Sequence, residues 1–256
     1  METLIIDRSD GILTVTLNRP KRKNAASLEM WRELGETFIE ARNRPEDRVV
    51  VITGAGGDFC AGADLSDLEG AEAHHLKYMH VISDTALALH RLPQPVIAKV
   101  QGVAVGAGCN LALGCDLVVA AEGARFSEIF SRRGLSVDFG GTWLLPRRIG
   151  LHRAKELAFF GDILSASEAM ELGLVNRVVP PGELDAFVAD WARRLASGPP
   201  LALAATKAML DDSFSMDLSQ ALEREGTTQI MNLQAEDGKE AILAFLQKRD
   251  AVFKGR

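Results

Sequence analysis

The chain has 256 residues, 47% of them hydrophobic, and 29 lysines and arginines against 35 aspartates and glutamates give a formal net charge of −6. That length and apolar content support one large domain, or one domain with an appendage, around a sizeable core. The acidic balance disfavours nucleic acid or any other polyanion as a partner.

The first ten residues carry acids and no apolar run bounded by bases, and no window approaches eighteen uninterrupted apolar residues. A cytoplasmic location with no membrane partner is therefore expected. Apolar β-branched or alternating runs predict strands at Ile12 to Leu17, Val49 to Thr53, Val96 to Val100 and Leu117 to Ala120. Helical spacing over Leu28 to Arg42 and Lys77 to Leu92 falls between them, the alternation of an α/β protein with crossover connections. No internal repeat or low-complexity tract is found, which argues against solenoids and disordered tails. Gly198-Pro199-Pro200 breaks the pattern, and Leu201 to Asp211, Leu218 to Leu233 and Lys239 to Asp250 beyond it have helical spacing. Residues 1–198 are expected to form the core that binds and catalyses, and residues 199–256 a helical oligomerisation region. About 55 residues are few for an independent core, so this region should pack on the main domain or on a neighbouring subunit.

Several motifs fail on inspection. Cys60, Cys109 and Cys115 make no C-x-x-C pair, so neither a disulfide framework nor a thiolate metal site is indicated and the thiols are expected reduced and buried. Gly54-Ala55-Gly56 after the Val49 run resembles the start of a dinucleotide-binding turn, but Phe59 stands at the third glycine position and no long helix follows Cys60. Gly134-Leu135-Ser136-Val137-Asp138 approaches a nucleophile elbow but ends on Asp138 instead of glycine. The histidines, His74, His75, His80, His90 and His152, make no metal-binding pair, so no metal is expected.

Two glycine-rich turns remain, Phe59-Cys60-Ala61-Gly62-Ala63-Asp64 and Val103 to Asn110 with Gly106-Ala107-Gly108-Cys109-Asn110. If the second leads directly into a helix at Gly108 to Leu113, its free amides and the positive dipole end converge on one spot. Two donors from separate turns would make an oxyanion hole. Taken singly, each turn reads equally as a tight connection.

These turns, with Leu17-Asn18-Arg19-Pro20, Asn24-Ala25, Cys115-Asp116 and Phe245-Leu246-Gln247-Lys248-Arg249, occur in the order of the crotonase, or enoyl-CoA hydratase/isomerase, superfamily, which the chain resembles over essentially its whole length. The resemblance implies an α/β spiral of repeated β-β-α units with a C-terminal helical trimerisation region, assembled as a homotrimer or a dimer of trimers. It implies an acyl-CoA thioester substrate and no separate cofactor, coenzyme A entering with the substrate. The oxyanion amides carried over are those of Ala63 and Ala107. The coenzyme A contacts carried over are Lys21, Arg22, Lys23, Ala25, Ala61, Asp64, Leu65 and Lys254, and Ala71 to Tyr78 lines the acyl pocket in relatives. An amide pair aimed at an enolate oxygen lowers the barrier to α-proton removal, each donor by roughly 3 kcal/mol.

Family hydratases use two glutamates, and Asn110 and Phe130 stand at those positions here. Neither transfers a proton, so water addition by that route is expected to be weak. Ser136 to Arg147 instead resembles the ring 1,2-epoxyphenylacetyl-CoA isomerases and enoyl-CoA Δ-isomerases, in which the residue matching Asp138 is the acid/base. Asp138 is expected to be one isolated carboxylate, walled by Phe130, Phe139 and Trp143 and so raised in pKa. The alternatives are a capping role for Asp138, Glu128 as the base, hydration or hydrolysis within the family, and a silent acyl-CoA binder. Glu128 is expected to form an ion pair with Arg132 or Arg133.

Overall fold

A computed structural model describes residues 2–68 and 75–256. The chain opens with a hairpin, β1 (Leu4–Ser9) and β2 (Ile12–Leu17), then α1 (Leu28–Arg42), whose Ser27 cap accepts from the Met30 amide at 3.3 Å. It continues through β3 (Val49–Gly54), α2 (His75–His90), β4 (Val96–Val100), β5 (Val103–Val105) and α3 (Ala107–Leu113). Next come β6 (Leu117–Ala121), β7 (Arg125–Ser127), α4 (Gly141–Phe160), β8 (Leu164–Ser165), α5 (Ala166–Leu172), β9 (Arg177–Val179) and α6 (Leu184–Ala196).

From β4 onward the chain passes back and forth between two sheets. One has the order β1-β2-β3-β4-β6-β9, parallel except for the β1 edge, and the other β5-β7-β8. Thus β4-β5-α3 and β6-β7-α4 each send one strand to each sheet and then a helix, the expected α/β spiral of β-β-α units. The strands predicted at Ile12, Val49, Val96 and Leu117 form the centre of the larger sheet.

The β3 run is buried throughout because it has a core on each face. Val50 and Ile52 join the large core with Trp31 and Phe38 from α1, whereas Val49 and Val51 join a smaller one with Leu184, Val188 and Ala192 of α6. All three cysteines are buried and free.

Gly198 and Pro199 separate α6 from α7 (Pro200–Asp212), α8 (Leu218–Gln234) and α9 (Glu236–Gln247). Lys207 of α7 ties this region to the core, donating to Asp116 Oδ2 at 2.7 Å and to the Gln94 carbonyl at 3.0 Å. The C-terminal segment folds back, its Lys254 and Gly255 amides donating to the Asp237 carboxylate at 2.6 and 2.8 Å. Leu218, Met231, Phe245 and Leu246 remain well exposed on α8 and α9. Among the described residues no helix is long and apolar enough to cross a membrane.

Candidate active site

The two glycine-rich turns lie against each other. Cys60 and Ala104 bridge in parallel, with the Cys60 amide donating to the Val103 carbonyl at 2.9 Å and the Val105 amide to the Cys60 carbonyl at 3.0 Å. Glycine is required twice at this contact. A methyl on Gly62, at φ +97°, would sit 2.8 Å from the Val105 oxygen and 3.8 Å from the Ala107 nitrogen, and one on Gly108 would sit 2.4 Å from the Cys60 oxygen. Ala107 is the first residue of α3, so its N–H has no intrahelical acceptor. Ala63 bridges Ala26 through its neighbours' groups, Ala26 N–H to Gly62 O at 2.7 Å and Asp64 N–H to Ala26 O at 2.9 Å. Among the described residues, neither the Ala63 nor the Ala107 amide donates to another backbone group.

Both alanines line a cavity of about 870 Å³, shared with His75, Tyr78, Phe130 and Asp138. The Ala71 to His74 part of the expected acyl-pocket segment lies outside the described residues. Asp138 reaches the cavity from a loop flanked by left-handed residues, Gly134 before it and Phe139 (φ 48°) and Gly140 after it. Phe139 tolerates this conformation because its ring is buried against Trp31, 5.0 Å between centroids. Burial pushes the Asp138 carboxyl up to about 6, and its Oδ1 has no hydrogen-bond partner.

Asn110, fully buried on α3, braces this loop. Its Nδ2 donates to the Asp138 main-chain oxygen at 3.0 Å and to Glu128 Oε2 at 3.2 Å. Gly141 is a glycine for the same reason, since a methyl there would lie 2.5 Å from both polar atoms of the Asn110 side chain.

Three expectations are corrected. Glu128 forms no ion pair with Arg132 or Arg133: Arg132 turns to Asp162 and to the Phe160 carbonyl, and Glu128 is buried behind Asn110. Burial pushes its carboxyl up to about 7, with hydrogen bonds from Cys109 and Asn110 opposing that rise and the Asp138 charge adding to it. Asp138 is therefore not isolated: a second buried carboxylate lies close enough to feel its charge. Trp143, expected in the wall around Asp138, lines a neighbouring cleft, with the His90 ring at 5.3 Å and the Arg147 guanidinium at 4.0 Å. Phe130 and Phe139 do line the Asp138 cavity.

The basic segment is a 3-10 turn, Pro20–Arg22, followed by left-handed Lys23, with all three cationic residues exposed. Buried Asn24 pins it, accepting from the Arg19 amide and donating to the Ala55 and Asp58 carbonyls at 2.8 and 2.7 Å. The Lys23 carbonyl accepts from the Ala61 amide at 3.0 Å, so the turn is attached to the segment that carries Ala63. Ala61 and Leu65 line the cavity, while Ala25 offers its carbonyl to Arg19. The Asp64 carboxylate is occupied by Arg19 at 2.8 Å and by Ser66. Burial works to raise that carboxyl, but the Ser66 and Arg19 hydrogen bonds outweigh it and hold it below the usual carboxylate range. Lys254 lines a separate groove with Asp237 and Glu240.

Neither the Asn110 brace nor the burial of Glu128 was anticipated. The one available signal was that Glu128 lies between the apolar residues Phe126 and Phe130.

Residues 7–256 match the family model described as enoyl-CoA hydratase/isomerase. The 1,2-epoxyphenylacetyl-CoA isomerase of Escherichia coli K12 is 38% identical over 261 residues, covering 100% of both chains. A Rhodobacter capsulatus protein named "Probable enoyl-CoA hydratase" is 39% identical over 256 residues, covering 99% of this chain and 98% of its own. The crystal structure of an enoyl-CoA hydratase from Bacillus anthracis superimposes with a TM-score of 0.95 at 35% identity, covering 99% of this chain and 100% of that one.

Proposed function

The chain belongs to the enoyl-CoA hydratase/isomerase family, and on that premise we propose that it moves a double bond within an unsaturated acyl-CoA, with Asp138 carrying the proton. The fold is that of the crotonases. Relatives bear both hydratase and isomerase names, so the choice between reactions rests on the residues. The observation that carries it is that Asp138 is the carboxylate lining the cavity shared by the Ala63 and Ala107 amides, while Asn110 and Phe130 occupy the hydratase positions.

For a 3-enoyl thioester the thioester oxygen accepts from Ala63 N–H and Ala107 N–H. Asp138 takes a proton from Cα, the electrons delocalise into a dienolate, and the two amides stabilise the oxygen as it gains charge. Asp138 then returns the proton to Cγ, leaving a 2-enoyl product and a carboxylate in its starting state. A carboxyl raised toward neutrality by burial suits both halves of the cycle.

The exposed Lys21, Arg22 and Lys23 suit the phosphates of coenzyme A, and the backbone around Ala25, Ala61, Asp64 and Leu65 suits its pantetheine arm. Because Lys254 lines a separate groove and not this cavity, its phosphate contact is assigned to coenzyme A held by a neighbouring subunit. The exposed apolar residues of α8 and α9 support a homotrimer or a dimer of trimers.

The buried Glu128 favours one second reading, hydration of a 2-enoyl-CoA by a Glu128 and Asp138 pair. Proton NMR in heavy water with trans-3-enoyl-CoA and trans-2-enoyl-CoA separates the two. Double-bond migration with deuterium at Cα or Cγ, lost in Asp138→Asn, is expected. Hydration of the 2-enoyl-CoA in place of migration, whether or not it survives the substitution, would overturn the isomerase assignment.

A further inference from the structure

Asn110 touches both Glu128 and Asp138, at 3.2 and 3.0 Å, and each of the three residues keeps one buried side-chain oxygen with no N–H or O–H donor: Asn110 Oδ1, Glu128 Oε1 and Asp138 Oδ1. Asn110 cannot satisfy them, since its Nδ2 is already divided between Glu128 Oε2 and the Asp138 main-chain oxygen. A buried cluster with more acceptors than donors is costly, and a proton on one carboxyl supplies a missing donor. Two coupled carboxylates in a poorly solvated site also resist double ionisation.

Among the described residues no cation forms an ion pair with either carboxylate. Cys109 on α3 lies beside Glu128 and stays a thiol, its pKa pushed well up by burial and by the Glu128 charge. Arg133 and, from α2, His75 line the cavity, and neither is in an ion pair with Glu128 or Asp138 among the described residues. Arg132 is committed to Asp162.

We propose that Glu128 and Asp138 form a dyad holding a single proton, which resides on Glu128 and leaves Asp138 as the ionised partner facing the cavity. Glu128 is 3% exposed and is not among the residues lining the cavity, whereas Asp138 is half-buried and lines it. The better-solvated carboxylate therefore takes the charge, and titration of Glu128 near 7 against Asp138 near 6 gives the same order. Glu128 does not reach the substrate. It is a positioning residue that holds Asn110 while neutral and, on ionising, alters the proton affinity of Asp138. That catalytic consequence rests on Asp138 being the base; the dyad itself does not.

The test reads protons directly. In protein labelled with carboxyl-¹³C glutamate, the Glu128 signal, assigned by its loss in Glu128→Gln, is expected to titrate near pH 7. In Asp138→Asn its midpoint should fall by about one pH unit as the neighbouring charge is removed. A Glu128 signal already ionised at pH 6, or a midpoint unmoved in Asp138→Asn, overturns the dyad. If Glu128→Gln fails to fold, the signal displaced in Asp138→Asn supplies the assignment. The activity readout is separate: the alkaline limb of kcat/KM near pH 7 should disappear in Glu128→Gln, whereas a purely structural Glu128 leaves the profile unmoved. Full turnover by Asp138→Asn alongside a normal Glu128 titration would remove the proposed catalytic role and leave the dyad intact.

Discussion

Asn110 donates through Nδ2 to the main-chain oxygen of Asp138 at 3.0 Å, so a residue of α3 fixes the loop that carries the proposed base. Family hydratases place a glutamate at this position to handle a proton; here the position supplies a strut. Asn110→Ala removes it and also deprives Glu128 of one of its two side-chain donors, leaving Cys109. The expected result is a fall in kcat of roughly 10- to 100-fold, with KM changed much less, because misplacing a base by about 1 Å is that costly. Steady-state kinetics with a 3-enoyl-CoA check this, and an unchanged kcat would show that the loop holds itself.

Ala107 at the first position of α3 allows a substitution that deletes an amide and little else. Proline is compatible with the first turn of a helix, so Ala107→Pro should fold while losing one oxyanion donor. A loss of about 10²- to 10³-fold in kcat is expected, with Ala107→Gly close to the parent. Similar losses in both variants would point to the methyl group instead of the N–H.

The two carboxylates also govern stability against pH. Glu128 is pushed up from its ordinary 4.5 to about 7 and Asp138 from 3.8 to about 6. A raised carboxyl contributes its full stability below the unfolded pKa and loses it as pH rises through the folded value. Glu128→Gln and Asp138→Asn should therefore match the parent near pH 4 and exceed it at pH 8, by roughly 2–5 °C in Tm. Calorimetry at both pH values checks the sign; stabilisation confined to acid would contradict the burial of these groups.

Much of this arrangement was legible from local pattern. The four central strands stood out as β-branched runs, alternating in β2 and almost wholly apolar in β3, which has a core on both faces. The missed strands are short, β5 and β7 having three residues each, or lie at a sheet edge, as β1 does. The paired glycine turns and Asp138 were found by motif. Glu128 was misjudged because sequence proximity to Arg132 and Arg133 suggested an ion pair, whereas the 3-10 turn Ile129–Arg133 turns Arg132 toward Asp162 and leaves the glutamate inward against α3. Trp143 was misplaced because it lies only four positions beyond Phe139, yet α4 has begun by then and presents it to His90 and Arg147.

Gly62 tests the contact between the two turns. Its φ of +97° disfavours any side chain, and a methyl would press on the Val105 oxygen at 2.8 Å. Gly62→Ala should cost about 1–3 kcal/mol and separate the Ala63 and Ala107 amides, lowering kcat even at temperatures where the variant remains folded. Parent-like kcat at 15 °C would show that the two donors need not be held this closely.

Lys207 tests the attachment of the C-terminal helices. Its amine is largely shielded and donates to both the Asp116 carboxylate and the Gln94 carbonyl, and Asp116 Oδ2 in turn accepts from the Val96 amide at 2.7 Å. Removing the cation leaves that carboxylate with a single donor on this oxygen, at a cost of about 2–3 kcal/mol. Because Lys207 is a tie between α7 and the sheet, Lys207→Ala should loosen residues 199–256 ahead of the core. Limited proteolysis is then expected to cut first near Gly198, leaving a core fragment of residues 1–198. Cleavage distributed evenly along the chain would mean that the C-terminal helices unfold together with the sheets.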